Sequence, residues 1–144
     1  MNRRNAVLLD TCAVLWLANG RPMSETALAA IVAAGLENAI FVSPVSASEI
    51  GLLGRPRPNR SFEYDFLPDP KTWFRRFLSG PGIREVAFSP DIAIDASYLP
   101  GELHGDPADR MIIATARQLG LPIVTRDSRI IAYAEAGFVG VIPC

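Results

Sequence analysis

Short apolar runs alternate along the chain with longer stretches in which apolar positions recur every three or four residues, and glycine or proline punctuates the joins. Ala6 to Leu9 is a compact apolar run that ends in a carboxylate, Asp10, and a helical stretch from Cys12 to about Asn19 stops at Gly20 and Pro22. Ser24 opens an alanine-rich helix reaching about Gly35, Ile40 to Val42 reads as a second strand, and Ser46 starts a helix carrying Ile50, Leu52 and Leu53. Residues 55–68 hold several prolines and no steady period, which predicts a surface loop or flap. Three later helices are announced by a capping side chain followed by proline, at Asp69-Pro70, Ser89-Pro90 and Asp106-Pro107. Strands are expected at Ile83 to Phe88, Pro122 to Thr125 and Phe138 to Ile142, with a helix over 107–119 ending at Gly120 and another over 128–135 stopped by Gly137. Strand and helix in alternation predict one α/β domain over residues 1–144, with a mostly parallel central sheet of about five short strands flanked by helices.

Composition adds limits. The chain has 144 residues, half of them apolar, so a single domain with a substantial core is expected. Its net charge of −1 gives no global positive field, and any polyanion contact must be local. Lys71 is the only lysine, and the two cysteines, Cys12 and Cys144, have no metal or disulfide spacing. Arg3 and Arg4 before an apolar stretch imitate a secretory leader, but Asp10 interrupts that stretch and no small-x-small cleavage site follows, so a cytoplasmic protein is expected. No apolar run is long enough for a membrane span.

In such a sheet a ligand lies beyond the carboxyl ends of the strands, where the strand order switches. Asp10 ends the first strand and Asp127 follows a late one, while Glu49 and Asp109 each stand three residues after a helix start, at Ser46 and Asp106. Four acids therefore converge on one edge. Each has an ordinary structural alternative: Ser46-x-x-Glu49 matches a capping box, Asp106 and Asp127 fit helix caps, and Asp109 suits a helix N-terminus. Asp10 is the exception, with no partner evident in sequence. Two carboxylates about 4 Å apart repel by about 4 kcal/mol at an effective dielectric of 20, so the set would raise its own pKa values or recruit a cation. All-oxygen donors favour Mg²⁺ or Mn²⁺ over Zn²⁺, and His104, the single histidine, has no second soft ligand beside it.

The segments Leu8-Leu9-Asp10-Thr11-Cys12, Ser43-Pro44-Val45-Ser46-Ala47-Ser48-Glu49-Ile50, His104-Gly105-Asp106-Pro107-Ala108-Asp109-Arg110 with Ile113-Ala114-Thr115-Ala116, and Val124-Thr125-Arg126-Asp127 occur in this order over nearly the whole chain. In them the chain resembles the PIN-domain nucleases, most closely the VapC-type toxins of type II toxin–antitoxin systems. The resemblance implies that Asp10, Glu49, Asp109 and Asp127 are the catalytic, metal-binding quartet, with Thr11, Asp106 and Thr125 auxiliary to it. It further implies an Mg²⁺- or Mn²⁺-dependent endoribonuclease that acts on RNA, dimerises and is silenced by a small VapB-type antitoxin. The 55–68 loop departs from the family pattern.

Arg110 and Arg126, beside the acids, are candidates for holding RNA phosphates, as are Arg55, Arg57 and Arg60 on the flap. Trp16, Phe62, Tyr64, Phe66, Trp73, Phe74 and Phe77 are candidate partner-facing anchors, with burial in the core as the alternative for Trp16, Trp73 and Phe77. A haloacid-dehalogenase phosphatase is excluded because the second acid it needs is Cys12 here, and a receiver domain because Arg126-Asp127 stands where it needs a lysine. The other function class compatible with the chain is a catalytically silent PIN-fold module that binds RNA or protein. An inhibitory antitoxin would be expected to place an arginine among the four acids.

Overall fold

The computed structural model describes residues 4–56 and 65–144. In chain order the elements are β1 (Val7–Leu9), α1 (Thr11–Ala18), α2 (Glu25–Leu36), β2 (Ile40–Val42), α3 (Pro44–Leu53), α4 (Pro70–Leu78), β3 (Ile83–Glu85), α5 (Pro90–Asp95) with a 3₁₀ turn over Ala96–Tyr98, α6 (Pro107–Leu119), β4 (Ile123–Thr125), α7 (Ser128–Glu135) and β5 (Val141–Pro143). The five strands form one parallel sheet in the order β3-β2-β1-β4-β5. The chain steps outward from β1 to β3, then returns to lay β4 against the other side of β1. The order therefore switches between β1 and β4.

Side-chain alternation divides the core between two faces. Val7, Leu9, Ile40, Val42 and Val124 face a layer that includes Val14, Ile31, Ile50 and Phe74. Leu8, Phe41 and Ile123 face the opposite layer with Ile112, Ile113, Ile130 and Tyr133. Both faces are covered over the central strands β2, β1 and β4, which is why these read as continuous apolar runs, whereas the edge strand β3, Ile83-Arg84-Glu85, is half exposed. Ile92 and Ala96 close over Ala114 on the outside of α6. At the far end of the sheet Gly82, at φ 77°, lies so near α2 that a Cβ on it would stand 2.6 Å from the Gly35 Cα.

Every cap-then-proline pair expected from sequence forms: Asp69, Ser89 and Asp106 cap α4, α5 and α6 with proline in the first turn. A fourth was overlooked. Ser43 caps α3 by accepting from the Val45 N–H, with Pro44 in the first turn, so the helix begins before Ser46 and the capping-box alternative for Glu49 falls away. Asp10 likewise has the structural partner its sequence context hid, because it caps α1, which starts at Thr11 rather than Cys12. The strands at 83–85 and 141–143 are shorter or shifted relative to the expected 83–88 and 138–142.

Of the 55–68 flap, residues 57–64, with Arg57, Arg60, Phe62 and Tyr64, lie outside the described residues. At its far end Asp65, Leu67 and Pro68 are exposed, while Phe66 turns into the core and meets Trp73 edge-on at 5.0 Å. Phe74 is buried as well, and Trp73 and Phe77 stack at 5.9 Å and pack against the same core. These four side chains are therefore not free anchors.

Candidate functional site

The register of the sheet sets the site. Leu9 pairs with Val42 on one side and Val124 on the other, so Asp10 emerges level with Ser43 and Thr125. Asp10 is 5% exposed. Its Oδ1 accepts from the Ala13 N–H at 2.8 Å, and its Oδ2 accepts from the Thr125 hydroxyl. Burial pushes its pKa up to about 6, against the opposing hydrogen bonds from Thr125 and Ala13, and repulsion from Asp109 and Asp127 adds to the rise. Thr125 also accepts from the Asp127 N–H at 3.0 Å, which ties the β4–α7 turn to Asp10.

Thr11, buried at the start of α1, lies 2.5 Å from Glu49 Oε1 and 3.0 Å from the Ser46 hydroxyl. A hydroxyl has one proton, so Thr11 donates to Glu49 and Ser46 donates to Thr11. Burial raises the Glu49 carboxyl, the Thr11 hydrogen bond opposes this, and Asp109 and Asp106 raise it further. On α6, Asp106 Oδ1 accepts from the Asp109 N–H at 3.0 Å, which makes it a cap. Asp109 Oδ2 stands 2.7 Å from His104 Nε2, while His104 Nδ1 is buried without a partner among the described residues. Burial raises the Asp109 carboxyl, the His104 hydrogen bond opposes, and Asp106 and Asp127 raise it again.

Asp127 caps α7 through Oδ1, which accepts from the Arg129 N–H at 2.8 Å. Its Oδ2 accepts from the Arg129 guanidinium at 3.3 Å, and the same Nη2 lies 3.8 Å from Asp109 Oδ2. Burial pushes Asp127 up, but these donors outweigh it and hold the group below the ordinary carboxylate value. Arg129 is the cation that sequence reasoning missed. The available signal was its position in the first turn after a capping acid, facing the same crevice as the cap.

The two arginines expected at phosphates divide. Arg110 donates to the carbonyls of Ala96 (2.9 Å), Leu103 (3.3 Å) and His104 (3.4 Å), so it is committed to holding the segment that carries His104. Arg126 is exposed, with its guanidinium 3.4 Å from the centre of the Trp16 ring.

Around the β1/β4 switch Asp109 and Asp127 act on Asp10, Asp109 acts on Glu49, and Asp10, Glu49 and Asp109 are all shifted toward the protonated form. Among the described residues no three His, Cys, Asp or Glu side chains already stand at ligating range of one point. The donor set nevertheless suits a hard divalent cation: every acid supplies oxygen, Glu49 Oε2 and Asp109 Oδ1 carry no hydrogen bond among the described residues, and mutual repulsion disfavours three bare charges. An apolar groove between α3 and α6, lined by Val45, Leu52, Phe88 and Met111, ends at Glu49 and Asp106.

The PIN domain family profile matches residues 7–136. Over 48 residues the chain is 46% identical to Ribonuclease VapC22 of Mycobacterium tuberculosis, a stretch covering 33% of this chain and 37% of that relative, well under two thirds of its length. Among solved structures, VapBC2 from Rickettsia felis bound to a DNA fragment from its promoter superposes with a TM-score of 0.65 at 15% identity, covering 96% of this chain and 98% of that one. A toxin-antitoxin complex from Klebsiella pneumoniae gives a TM-score of 0.58 at 22% identity over 95% and 96% of the two chains. At these identities the likeness is one of fold.

Proposed function

The chain belongs to the PIN domain family, and from that premise we propose that it is a metal-dependent endoribonuclease toxin, a single PIN domain over residues 1–144. The observation that carries the reading is the set of three buried or half-buried carboxylates, Asp10, Glu49 and Asp109, displaced toward protonation at the β1/β4 switch, with Asp127 and Arg129 at the rim. Carboxylates in that state favour a cation beside them.

Asp10, Glu49, Asp109 and Asp127 would hold Mg²⁺ or Mn²⁺, which when bound supplies an acidified water and offsets charge on the phosphodiester under attack. The chain's contribution is to fix the donors. Thr125 holds Asp10, Thr11 holds Glu49, His104 holds Asp109, and the α7 backbone holds Asp127, each through a named hydrogen bond. A carboxylate accepts about four hydrogen bonds or metal contacts, so each keeps lone pairs for a cation. Arg129 and Arg126 are the positive groups available to a phosphate at the rim, now without Arg110.

The toxin reading brings two partners, a small VapB-type antitoxin and a second copy of the chain. Leu28, Val32 and Leu36 recur every four residues on the exposed side of α2 and offer such a partner an apolar stripe. No helix among the described residues is long and apolar enough to cross a membrane, and the toxin reading itself places the action on RNA in the cytoplasm. The test is cleavage of single-stranded RNA by purified protein with Mn²⁺ or Mg²⁺ against EDTA. Cleavage that needs the metal and disappears in Asp10→Asn supports the assignment, and undiminished cleavage by that variant, purified free of wild type, rejects it.

A further inference from the structure

Trp16 lies outside the core clusters. It is half-buried near the end of α1 with an arginine on its ring: the Arg126 guanidinium is 3.4 Å from the ring centre, and Arg21 is 5.7 Å away. Arg126 makes no hydrogen bond or ion pair among the described residues, because the acid next to it, Asp127, is committed to Arg129 and the α7 backbone. The side chain is exposed, and its five N–H donors are uncommitted among the described residues.

The position is as telling as the stack. Arg126 directly follows Thr125, whose hydroxyl holds Asp10, and directly precedes Asp127. Trp16 lies six residues past Asp10, about 9 Å along α1 at 1.5 Å per residue. The platform is thus tied to the crevice twice, through Arg126 between Thr125 and Asp127 and through Trp16 on the helix that Asp10 caps. A chain of net charge −1 with a carboxylate-lined crevice repels a polyanion, so its attraction must be local. Single-stranded RNA is recognised by stacking its splayed bases on aromatic rings or arginine planes, with cations tracking the backbone. Arg21, Trp16 and Arg126 combine those elements in one place.

We propose that Arg126 and Trp16 form a base-stacking subsite, in which a nucleobase next to the cleaved bond of single-stranded RNA stacks on the outer face of the Arg126 guanidinium while Trp16 supports the inner face. The inference rests on the nuclease reading but is tested apart from it. A purine covers more of the guanidinium plane than a pyrimidine, so adenine or guanine is preferred there. Arg126 is a binding residue, with no hydrogen bond or ion pair to any of the four acids among the described residues.

The experiment measures affinity and turnover separately. In EDTA, binding of a fluorescently labelled single-stranded RNA is followed by anisotropy for wild type, Arg126→Gln, Trp16→Leu and the double variant. With Mn²⁺, KM and kcat are measured on the same RNA and on versions carrying one abasic residue at successive positions. Each single variant should bind about tenfold more weakly, within the range measured for stacking one base, and the double variant should bind no worse than the weaker single one. Arg126→Gln should raise KM by a similar factor with kcat retained. An abasic residue at one position should cost wild type about tenfold and cost Arg126→Gln nothing. Because Trp16→Leu removes a half-buried side chain, its melting temperature is measured too, and the exposed Arg126→Gln decides if it is unstable.

Unchanged RNA affinity in Arg126→Gln overturns the proposal, as does an abasic scan identical in the two proteins, which would make Arg126 a phosphate contact only. Failure of wild type to bind single-stranded RNA overturns it as well. If wild type binds in an Arg126-dependent manner with the abasic position lost in the variant's binding, yet cleaves nothing with metal, the subsite stands and the nuclease reading fails.

Discussion

Asp10→Asn should make the metal-free protein more stable, and the gain should depend on pH. The Asp10 carboxyl is pushed from an ordinary value of 3.8 up to about 6 by burial, so the fold prefers the protonated form. The stability contributed by that preference is fully present below the unfolded value near 4 and is lost as pH rises through 6. By pH 8 the ionised group costs the fold about 3 kcal/mol, the difference between 3.8 and about 6 at about 1.36 kcal/mol per pH unit. Asparagine carries no such cost at any pH. Its oxygen can accept from the Ala13 N–H as Asp10 Oδ1 does, and its amide can donate to the Thr125 oxygen, which has a second lone pair beside the one used by the Asp127 N–H. In EDTA at pH 8 the variant should therefore exceed wild type by up to about 3 kcal/mol, a Tm difference on the order of 10 °C for a chain of this length. The difference should shrink through pH 6 and vanish near pH 4. Mn²⁺ should raise the wild-type Tm and raise that of the variant less, since only a ligand that binds the fold stabilises it. Thermal unfolding across pH 4 to 8 tests the reasoning, and a variant less stable than wild type at pH 8, or a gap flat with pH, refutes it.

Thr11→Val keeps the shape but removes the hydroxyl that holds Glu49 and leaves the fully buried Ser46 hydroxyl without its partner. It should lower stability by about 1–3 kcal/mol in urea titration and weaken Mn²⁺ binding by calorimetry, and no change in either would contradict the assigned hydrogen bonds. Arg129→Gln removes the cation that already sits between Asp109 and Asp127. Mn²⁺ should then bind several-fold more tightly at low salt, and weaker binding would mean that Arg129 supports the site rather than competing for it. Gly82→Ala combines a positive φ with a Cβ 2.6 Å from the Gly35 backbone, so it should cost at least about 2 kcal/mol while leaving metal affinity per folded molecule unchanged.

Much of this was legible because it follows from local chemistry. Ser89-Pro90 and Asp106-Pro107 state a helix start in two residues, and Gly120, left-handed at φ 66°, ends α6 where the sequence says it should. Ser43-Pro44 uses the same device but was masked by a second legitimate pattern, Ser46-x-x-Glu49. Choosing between them needed the hydroxyl of Thr11, which lies 35 residues from Ser46 and occupies it. The acids could be placed at one edge from strand and helix order alone. Their partners could not, because Thr125 meets Asp10 only through the β1–β4 register, a pairing of residues 115 positions apart. Arg110 looked like a phosphate ligand because it adjoins Asp109 in sequence. On a helix, adjacent residues point about 100° apart, and Arg110 turns away to the carbonyls of 96, 103 and 104.

The structural and functional readings of these acids do not compete. Asp10, Asp106 and Asp127 all cap helices, and Asp109 lies in the first turn of α6, so three helix N-termini open on the same crevice. Capping accounts for the position of each acid without accounting for its charge. A cap uses one or two of a carboxylate's four acceptor sites, and a helix N-terminus contributes about half a positive charge, felt mainly within its first turn. At Asp127, only partly buried at the rim and backed by Arg129, those donors suffice, and its carboxyl lies below the ordinary value. Asp10 has a cap bond and a threonine bond and is still driven up to about 6, because burial and its acidic neighbours outweigh both. The same capping role thus leaves one acid satisfied and another short of positive charge. The acids left short of positive charge are the inner ones, Asp10, Glu49 and Asp109, where burial outweighs the one or two hydrogen bonds each accepts.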